Sequence, residues 1–387
     1  MQIFTDTQFD FMGKRMIGFS LSFVLLVVTA VAIFTKGFNL GIDFRGGTEL
    51  EFKFVETPDI ADLRSRLGSA DLGTVSLQTV GKVEENTILV RAEGGDEEQG
   101  GNLSRRIVGA LFTPEERDAL AAGRMNLCQA GSKEVASFLG RCPSGGEGAD
   151  FAALAGEIVR MRTGQGGVLT SYADLEAVAG LTPELRSCIE AGSFLPGFAQ
   201  WKDYFVGPKV GEELRNKAYG AISGSLLFIL LYIWWRFHVQ YGIGAVLALF
   251  HDVIITTGLL VLLGEEFSLS VVAALLTLAG YSVNDTIVVY DRVRENLRIK
   301  RTLPLEQVVN LSVNQTLSRT VLTAVSTILV VLTMLLFGGP EFHGFSLALL
   351  IGVTLGTYSS IFVASPLVVV WRDYFAKGRT RRAGAGA

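Results

Sequence analysis

Six stretches of the chain are apolar almost throughout, at residues 16–35, 218–235, 241–263, 267–290, 320–337 and 345–371. Each has about 18 residues or more, which at ~1.5 Å per residue crosses a hydrocarbon core of ~30 Å. The pattern therefore predicts six transmembrane helices. Between the first and second lies a long segment with much shorter periods. Glu49-Leu50-Glu51-Phe52-Lys53-Phe54-Val55 alternates with period two, which predicts a half-buried strand. Thr57-Pro58-Asp59 opens a short helix through Leu67, with proline at a first-turn position where its missing N–H costs nothing. Residues 74–80 and 87–92 read as strands around a turn at 81–86, residues 103–112 as a second helix and 201–206 as a last strand. The expected architecture is a small α+β domain whose sheet is backed by two helices.

Residues 113–198 have another texture. Thr113-Pro114-Glu115-Glu116 and Thr182-Pro183-Glu184-Leu185 both place Thr at an N-cap and Pro at the first helical position. Glycine-rich joints at 145–146 and 164–167 separate short, alanine-rich helical pieces, so this segment reads as an inserted helical subdomain. It holds all three cysteines, Cys128, Cys142 and Cys188. In an oxidising compartment they give one disulfide and one leftover thiol, with three pairings open. Zinc is the weaker reading because no histidine lies in the block. The insert either carries a function or only decorates a loop.

Charge sharpens the picture. Of 387 residues 49% are hydrophobic and 19% charged, with a formal net charge of −4. Residues 36–215 hold 19 of the 34 Lys/Arg and 27 of the 38 Asp/Glu, so a block of net −8 interrupts charge-poor spans. Fourteen basic residues flank one set of span ends: Lys14, Arg15, Arg236, six between the fourth and fifth spans including Arg319, and Arg372 with the tail. The short opposite loops, 264–266 and 338–344, carry Glu265, Glu266 and Glu341 and no Lys or Arg. By the positive-inside rule both termini are cytoplasmic and residues 36–216 lie outside, with five further helices over 217–371 and a basic tail from 372 to 387. Lys14-Arg15, the apolar run and Ala30-Val31-Ala32 imitate a cleaved signal, but the run continues through Ile33-Phe34, which fits an uncleaved anchor better. The composition excludes a soluble enzyme. No basic domain or aromatic-basic interleaving points to nucleic acid. No nucleophile-base pair, metal-ligand spacing or phosphate loop is visible, and Gly46-Gly47 precedes a strand rather than a helix, so no cofactor is called for.

Ionisable residues inside spans are functional hypotheses by default, since a charge at the bilayer centre costs ~2.5–3.5 kcal/mol or more on insertion scales. Asp285 shares a helix face with Thr277 and Tyr281 in the fourth span. Arg319 opens the fifth, and behind it Thr316, Thr320, Thr323, Ser326 and Thr327 recur at three- and four-residue intervals. If Arg319 approaches Asp285 it holds the carboxylate charged, and if it withdraws, burial favours proton uptake. Arg319 otherwise snorkels to an interface. Asp252 lies deep in the third span beside His251, but neighbours on a helix point in different directions and do not make a dyad by sequence alone. Its ordinary reading is structural. Gly242, Gly244, Gly352 and Gly356 allow close helix packing, and residues 291–296 form a charged helix end.

Gly41-Ile42-Asp43-Phe44-Arg45-Gly46-Gly47, Val206-Gly207-Pro208-Lys209-Val210-Gly211, His251-Asp252-Val253 and Gly280-Tyr281-Ser282-Val283-Asn284-Asp285-Thr286 through Arg292-Val293-Arg294-Glu295-Asn296 resemble the SecF family of the bacterial protein-export machinery. The resemblance covers nearly everything except residues 113–198. The resemblance implies pairing with a SecD subunit in a pseudo-symmetric bundle related to resistance-nodulation-division transporters. It also implies association with the SecYEG channel and use of the proton gradient to draw a translocating preprotein outward after the SecA step. Asp285 and Arg319 would then belong to the proton pathway, with Asp252, His251, Asn284 and Tyr281 as secondary candidates. A passive assembly module and half of a small-molecule exporter are the competing classes.

Overall fold

The computed structural model describes residues 7–70, 72–73, 75–80, 86–92, 97–143, 150–164, 166–237, 239–372 and 374. Of the expected features, the turn at 81–85, the joint at 145–146, Gln165 and the basic residues of the tail from 377 on lie outside the described residues. The elements begin α1 (Arg15–Lys36), α2 (Ile42–Arg45), β1 (Gly47–Phe54), α3 (Ile60–Gly68), β2 (Val75–Val80), β3 (Thr87–Ala92) and α4 (Glu97–Leu111). Next come α5 (Pro114–Ala121), β4 (Met125–Asn126), α6 (Ser132–Leu139), α7 (Phe151–Gly164), α8 (Pro183–Gly192), β5 (Ser193–Phe194) and β6 (Phe198–Val206). The chain ends with α9 (Pro208–Arg236), α10 (Val239–Leu263), α11 (Leu269–Ile299), α12 (Leu305–Phe337) and α13 (His343–Ser359). It divides into two compact units, Ile42–Glu213 and Met1–Gly41 with Leu214–Ala387.

The first unit is α+β. Its four strands are antiparallel in the order β2-β3-β1-β6. Alternation on β1 decides the faces: Leu50 and Phe52 are buried with Ile88 and Val90 under Leu63 and Leu67 of α3 and Ile107 and Leu111 of α4. Glu49 and Glu51 point the other way, where Glu49 pairs with Arg91 at 2.6 Å and Glu51 with Lys202 at 3.6 Å. Several boundaries differ from expectation, and α4 begins at Glu97, six residues before the expected start at 103. Asp59 caps α3 by accepting from the Ala61 N–H, so Pro58 precedes the cap instead of sitting in the first turn. β6 starts three residues early, because a bulge between Glu51 and Phe52 brings Phe198–Gln200 into register with Phe52–Phe54.

The insert builds its own core from Leu127, Val135, Leu139, Ala155, Ile158, Leu175 and Ile189. Thr113 and Glu116 form a reciprocal capping box at α5, and Thr182 caps α8, each followed by proline as expected. The pairing left open by the sequence is Cys142 with Cys188, which ties the end of α6 to α8, and Cys128 stays a buried free thiol. Arg162 of α7 donates to the carbonyls of Leu127 and Ala130 at 2.7 and 2.9 Å and so closes the turn that carries Cys128.

The second unit holds six helices long and apolar enough to cross a membrane, α1 and α9 to α12, with α13 continuing through a π-turn at 360–364 to Arg372. Three run past their apolar stretches, α9 among them, since it begins at Pro208. α11 continues to Ile299 and α12 begins at Leu305, so Arg319 sits within α12 rather than at its start. The added turns are amphipathic: Val308, Val309, Ser312 and Val313 are buried, and Asn296 of α11 donates to Ser312 Oγ and Gln315 Oε1 at 2.8 Å each. The N-terminal peptide packs on the same part of α12. Asn310 accepts from the Phe11 and Met12 N–H groups, Asn314 accepts from Phe9, and both amides donate back to the Phe9 carbonyl.

Candidate functional site

Two carboxylates lie inside the helical unit, in opposite circumstances. Asp252 of α10 is fully buried. Its Oδ2 accepts from Ser282 of α11 and Ser359 of α13, both at 2.6 Å, and His251 Nδ1 lies 2.8 Å from Oδ1. The imidazole thus turns across the ~100° between helical neighbours to meet the carboxylate. α13 comes this close because Gly356 faces α11: a Cβ there would lie 3.3 Å from Ser282 Cβ. The His251 ring faces Tyr358, whose hydroxyl donates to the Gly18 carbonyl of α1 at 2.6 Å. Three helices therefore converge on Asp252, with α1 tied to Tyr358 beside them, which suits an anchor.

Asp285, one turn along α11 from Ser282, is 3% exposed, and its Oδ2 has no hydrogen-bond partner. Arg319 on α12 is near enough to act on it electrostatically but closes no ion pair with it. The hydroxyls of Thr286 beside Asp285 and Thr320 beside Arg319 are buried and unpaired as well. Tyr281 Oη is turned toward Thr323, Thr327 and Thr357 without closing a hydrogen bond. The rest of the α12 stripe is quieter: Thr316, Thr323, Ser326 and Thr327 donate to their own helix backbone. An ionised carboxylate without donors is costly in an apolar interior and removes that cost by taking a proton or a cation. Asp252 has three donors and no such need.

Asn284 is exposed, as are Thr277 and Gly280 on the same side of α11, so Asn284 does not line the Asp285 cluster. No group of His, Cys, Asp and Glu able to hold a metal occurs among the described residues. In the α+β unit a cleft of about 460 Å³ opens between α3 and the insert, lined in part by Val55, Pro58, Asp62, Thr170 and Pro196. Several of its charged groups are committed: Asp62 pairs with Arg66, Asp59 caps α3, and Glu116 accepts from the Thr113 and Gly197 N–H groups. Ser282 and Ser359 are the residues sequence reasoning missed. Ser282 lies inside the Tyr281–Thr286 motif, but only the convergence of three helices gives its hydroxyl a role.

Comparison with known proteins follows the same motifs. The sequence model of the family described as protein export membrane protein SecD/SecF, C-terminal, matches residues 193–374, and that of the SecD/SecF GG motif matches residues 31–57. The protein translocase subunit SecF of Koribacter versatilis is 41% identical over 97% of this chain and 94% of its own length. That of Desulfurispirillum indicum is 34% identical over 96% and 94%. Among solved structures, the translocon-associated membrane protein SecDF from Thermus aligns with a TM-score of 0.64 at 31% identity, over 95% of this chain. A SecDF structure in a super-membrane-facing form gives a TM-score of 0.56 at 30% identity over 99% of this chain. The chain spans about two fifths of the length of these SecDF chains, 39% and 41%. It belongs to the SecD/SecF family of protein-export membrane proteins, on its SecF side, whose named members are protein translocase subunits.

Proposed function

We propose that this chain works with a SecD subunit beside the SecYEG channel and uses the proton gradient to promote outward movement of a translocating preprotein. Asp285 is the group that gains and loses the proton, and Arg319 sets its charge. The observation that carries this reading is the buried Asp285 carboxylate, which has an oxygen without a donor in the field of a guanidinium that does not close on it. Tyr281 and the unpaired Thr286 and Thr320 hydroxyls border the route. Both termini lie in the cytoplasm and the α+β unit in the periplasm, supported by basic residues at one set of helix ends and acidic loops at the other. One charge crossing ~100 mV supplies ~2.3 kcal/mol, enough to bias a two-state element and too little to unfold a cargo domain alone.

Pairing with SecD is supported by the side of α11 that this chain leaves uncovered. Thr277, Gly280 and Asn284 are exposed there, and a Cβ on Gly280 would meet no atom within 4 Å. An amide at membrane depth requires a protein partner rather than lipid. The decisive experiment is Asp285→Asn in the complex. Preprotein export in membrane vesicles is expected to lose its dependence on the proton gradient while SecD still co-purifies. If SecD is lost instead, Asp285 is a structural lock and the passive assembly role is correct.

A further inference from the structure

The His251–Asp252 pair is not explained by anchoring alone. With Oδ2 of Asp252 occupied by two serine hydroxyls and Oδ1 facing His251 Nδ1, the tautomer that pairs the imidazole with a carboxylate is the one that donates from Nδ1. This places the ring lone pair on Nε2. That atom is buried and has no partner, although the side chain is nine-tenths enclosed. A histidine serving only to satisfy a buried aspartate ordinarily has its second nitrogen bonded or open to water. Here a basic nitrogen is held bare beside a negative charge within the span. The dyad carries one net negative charge, and one proton at Nε2 makes it neutral.

We infer that His251 Nε2 is a second proton-binding site, connected through Asp252 and Ser282 to the helical turn that carries Asp285. The inference rests on the proton-coupled reading above and adds a carrier to it. The proton comes from water, forms one N–H bond at Nε2 and leaves by breaking that same bond; no other covalent bond changes. The groups facing the dyad are few. α11 presents Ser282, with Asp285 one turn on; α13 presents Ser359 and the Tyr358 ring; α1 reaches it through Gly18 and Ser22, which bond the Tyr358 hydroxyl. Tyr358 is thus the one titratable side chain besides Asp252 and Asp285 that these contacts bring to the pair among the described residues. Protonation turns the imidazole face toward Tyr358 into a cation facing an aromatic ring, and Tyr358 in turn holds α1.

The chain has three histidines, so H238N/H343N leaves His251 as its single imidazole. Full-length protein with that pair of substitutions, in complex with a SecD labelled without imidazole nitrogen-15, is placed in lipid bilayers. Nitrogen-15 magnetic resonance then follows the ring from pH 5 to pH 8. The expected result is a neutral ring protonated at Nδ1 at the alkaline end and a doubly protonated ring at the acid end. A ring that keeps one protonation state throughout overturns the inference. His251→Asn retains a donor toward Asp252 but offers no basic nitrogen, so the complex should assemble while the pH dependence of gradient-driven export flattens at least severalfold. A wild-type pH profile in that variant also overturns it. Asp285→Asn is read separately: loss of gradient dependence there with an inert His251 removes only the second carrier, whereas retained dependence removes the proton-coupled reading itself.

Discussion

Asp252 and Asp285 occupy neighbouring helices, are both buried, and differ in how many donors reach them. Asp252→Ala would strand the Ser282 hydroxyl and an imidazole N–H, at about 1–3 kcal/mol for each buried group left unsatisfied, while Ser359 keeps the Gly356 carbonyl as acceptor. Asp285→Ala strands none. Thermal unfolding in detergent should therefore rank Asp252→Ala below Asp285→Ala by the equivalent of about 2 kcal/mol or more; equal losses would remove the distinction between anchor and carrier. Gly46 is the other residue whose identity the geometry fixes. Its φ is +75°, and a Cβ would stand 2.8 Å from the Pro208 Cα, while a Cβ on Gly211 would stand 2.9 Å from the Gly46 nitrogen. The glycine pair read as a poor phosphate cradle is a backbone crossing between the start of β1 and the start of α9. Gly46→Ala should cost about 1–3 kcal/mol, whereas Gly109→Ala, in α4 with no atom within 4 Å, should be neutral or stabilise by about 0.5–1 kcal/mol. Protease resistance of the α+β unit separates the two.

At the scale of elements, the insert is a small helical body held by a covalent tie and a buried thiol. The Cys142–Cys188 bond closes a loop of 46 residues, which in the chain-entropy treatment restricts the unfolded state by about 4 kcal/mol. Reduction should lower hydrogen-exchange protection in α6 and α8 and leave the four-stranded sheet protected. Burial pushes the Cys128 thiol up, against the Leu169 backbone hydrogen bond and the Arg162 charge, so it stays protonated around neutrality. Alkylation of the native chain is expected to label no cysteine at neutral pH, one after unfolding and three after unfolding with reductant; native labelling of Cys128 would contradict its enclosure. Much of this was legible beforehand. The Thr-Pro-Glu starts set both helix caps, period-two alternation set β1, and long apolar runs set six helices. The ends of α11 and α12 were not, because their added turns are amphipathic and cover their apolar face against each other and the N-terminal peptide. The strap of Phe9–Met12 on Asn310 and Asn314 was hidden for a related reason, since it joins residues about 300 positions apart through main-chain groups that sequence patterns do not report. Disulfide pairing and the role of Ser282 likewise depended on which helices meet.

For the molecule as a whole, the distribution of buried and open positions over the membrane helices separates closed seams from open sides. The seam between α11 and α13 is closed by close contacts: a Cβ on Gly352 would lie 2.5 Å from the Leu278 side chain, and Gly356 abuts Ser282. The side of α11 bearing Thr277, Gly280 and Asn284 has no such neighbour, and the exposed Arg319 guanidinium belongs to the adjoining α12. Glycine on the closed side and glycine on the open side should therefore fail in different ways. Gly352→Leu forces a side chain into Leu278, so the helical unit itself should lose stability by about 1–3 kcal/mol, measurable as a lower midpoint of thermal aggregation for the isolated chain. Gly280→Leu enters empty space and should leave that midpoint unchanged, yet it would hold a SecD helix away from Asn284. Co-purification of SecD should then fall while the chain stays folded, and export should lose its gradient dependence although Asp285 is intact. If SecD binds the Gly280→Leu chain as tightly as the wild type, the partner lies elsewhere on the bundle, and the polar side of α11 faces water rather than protein.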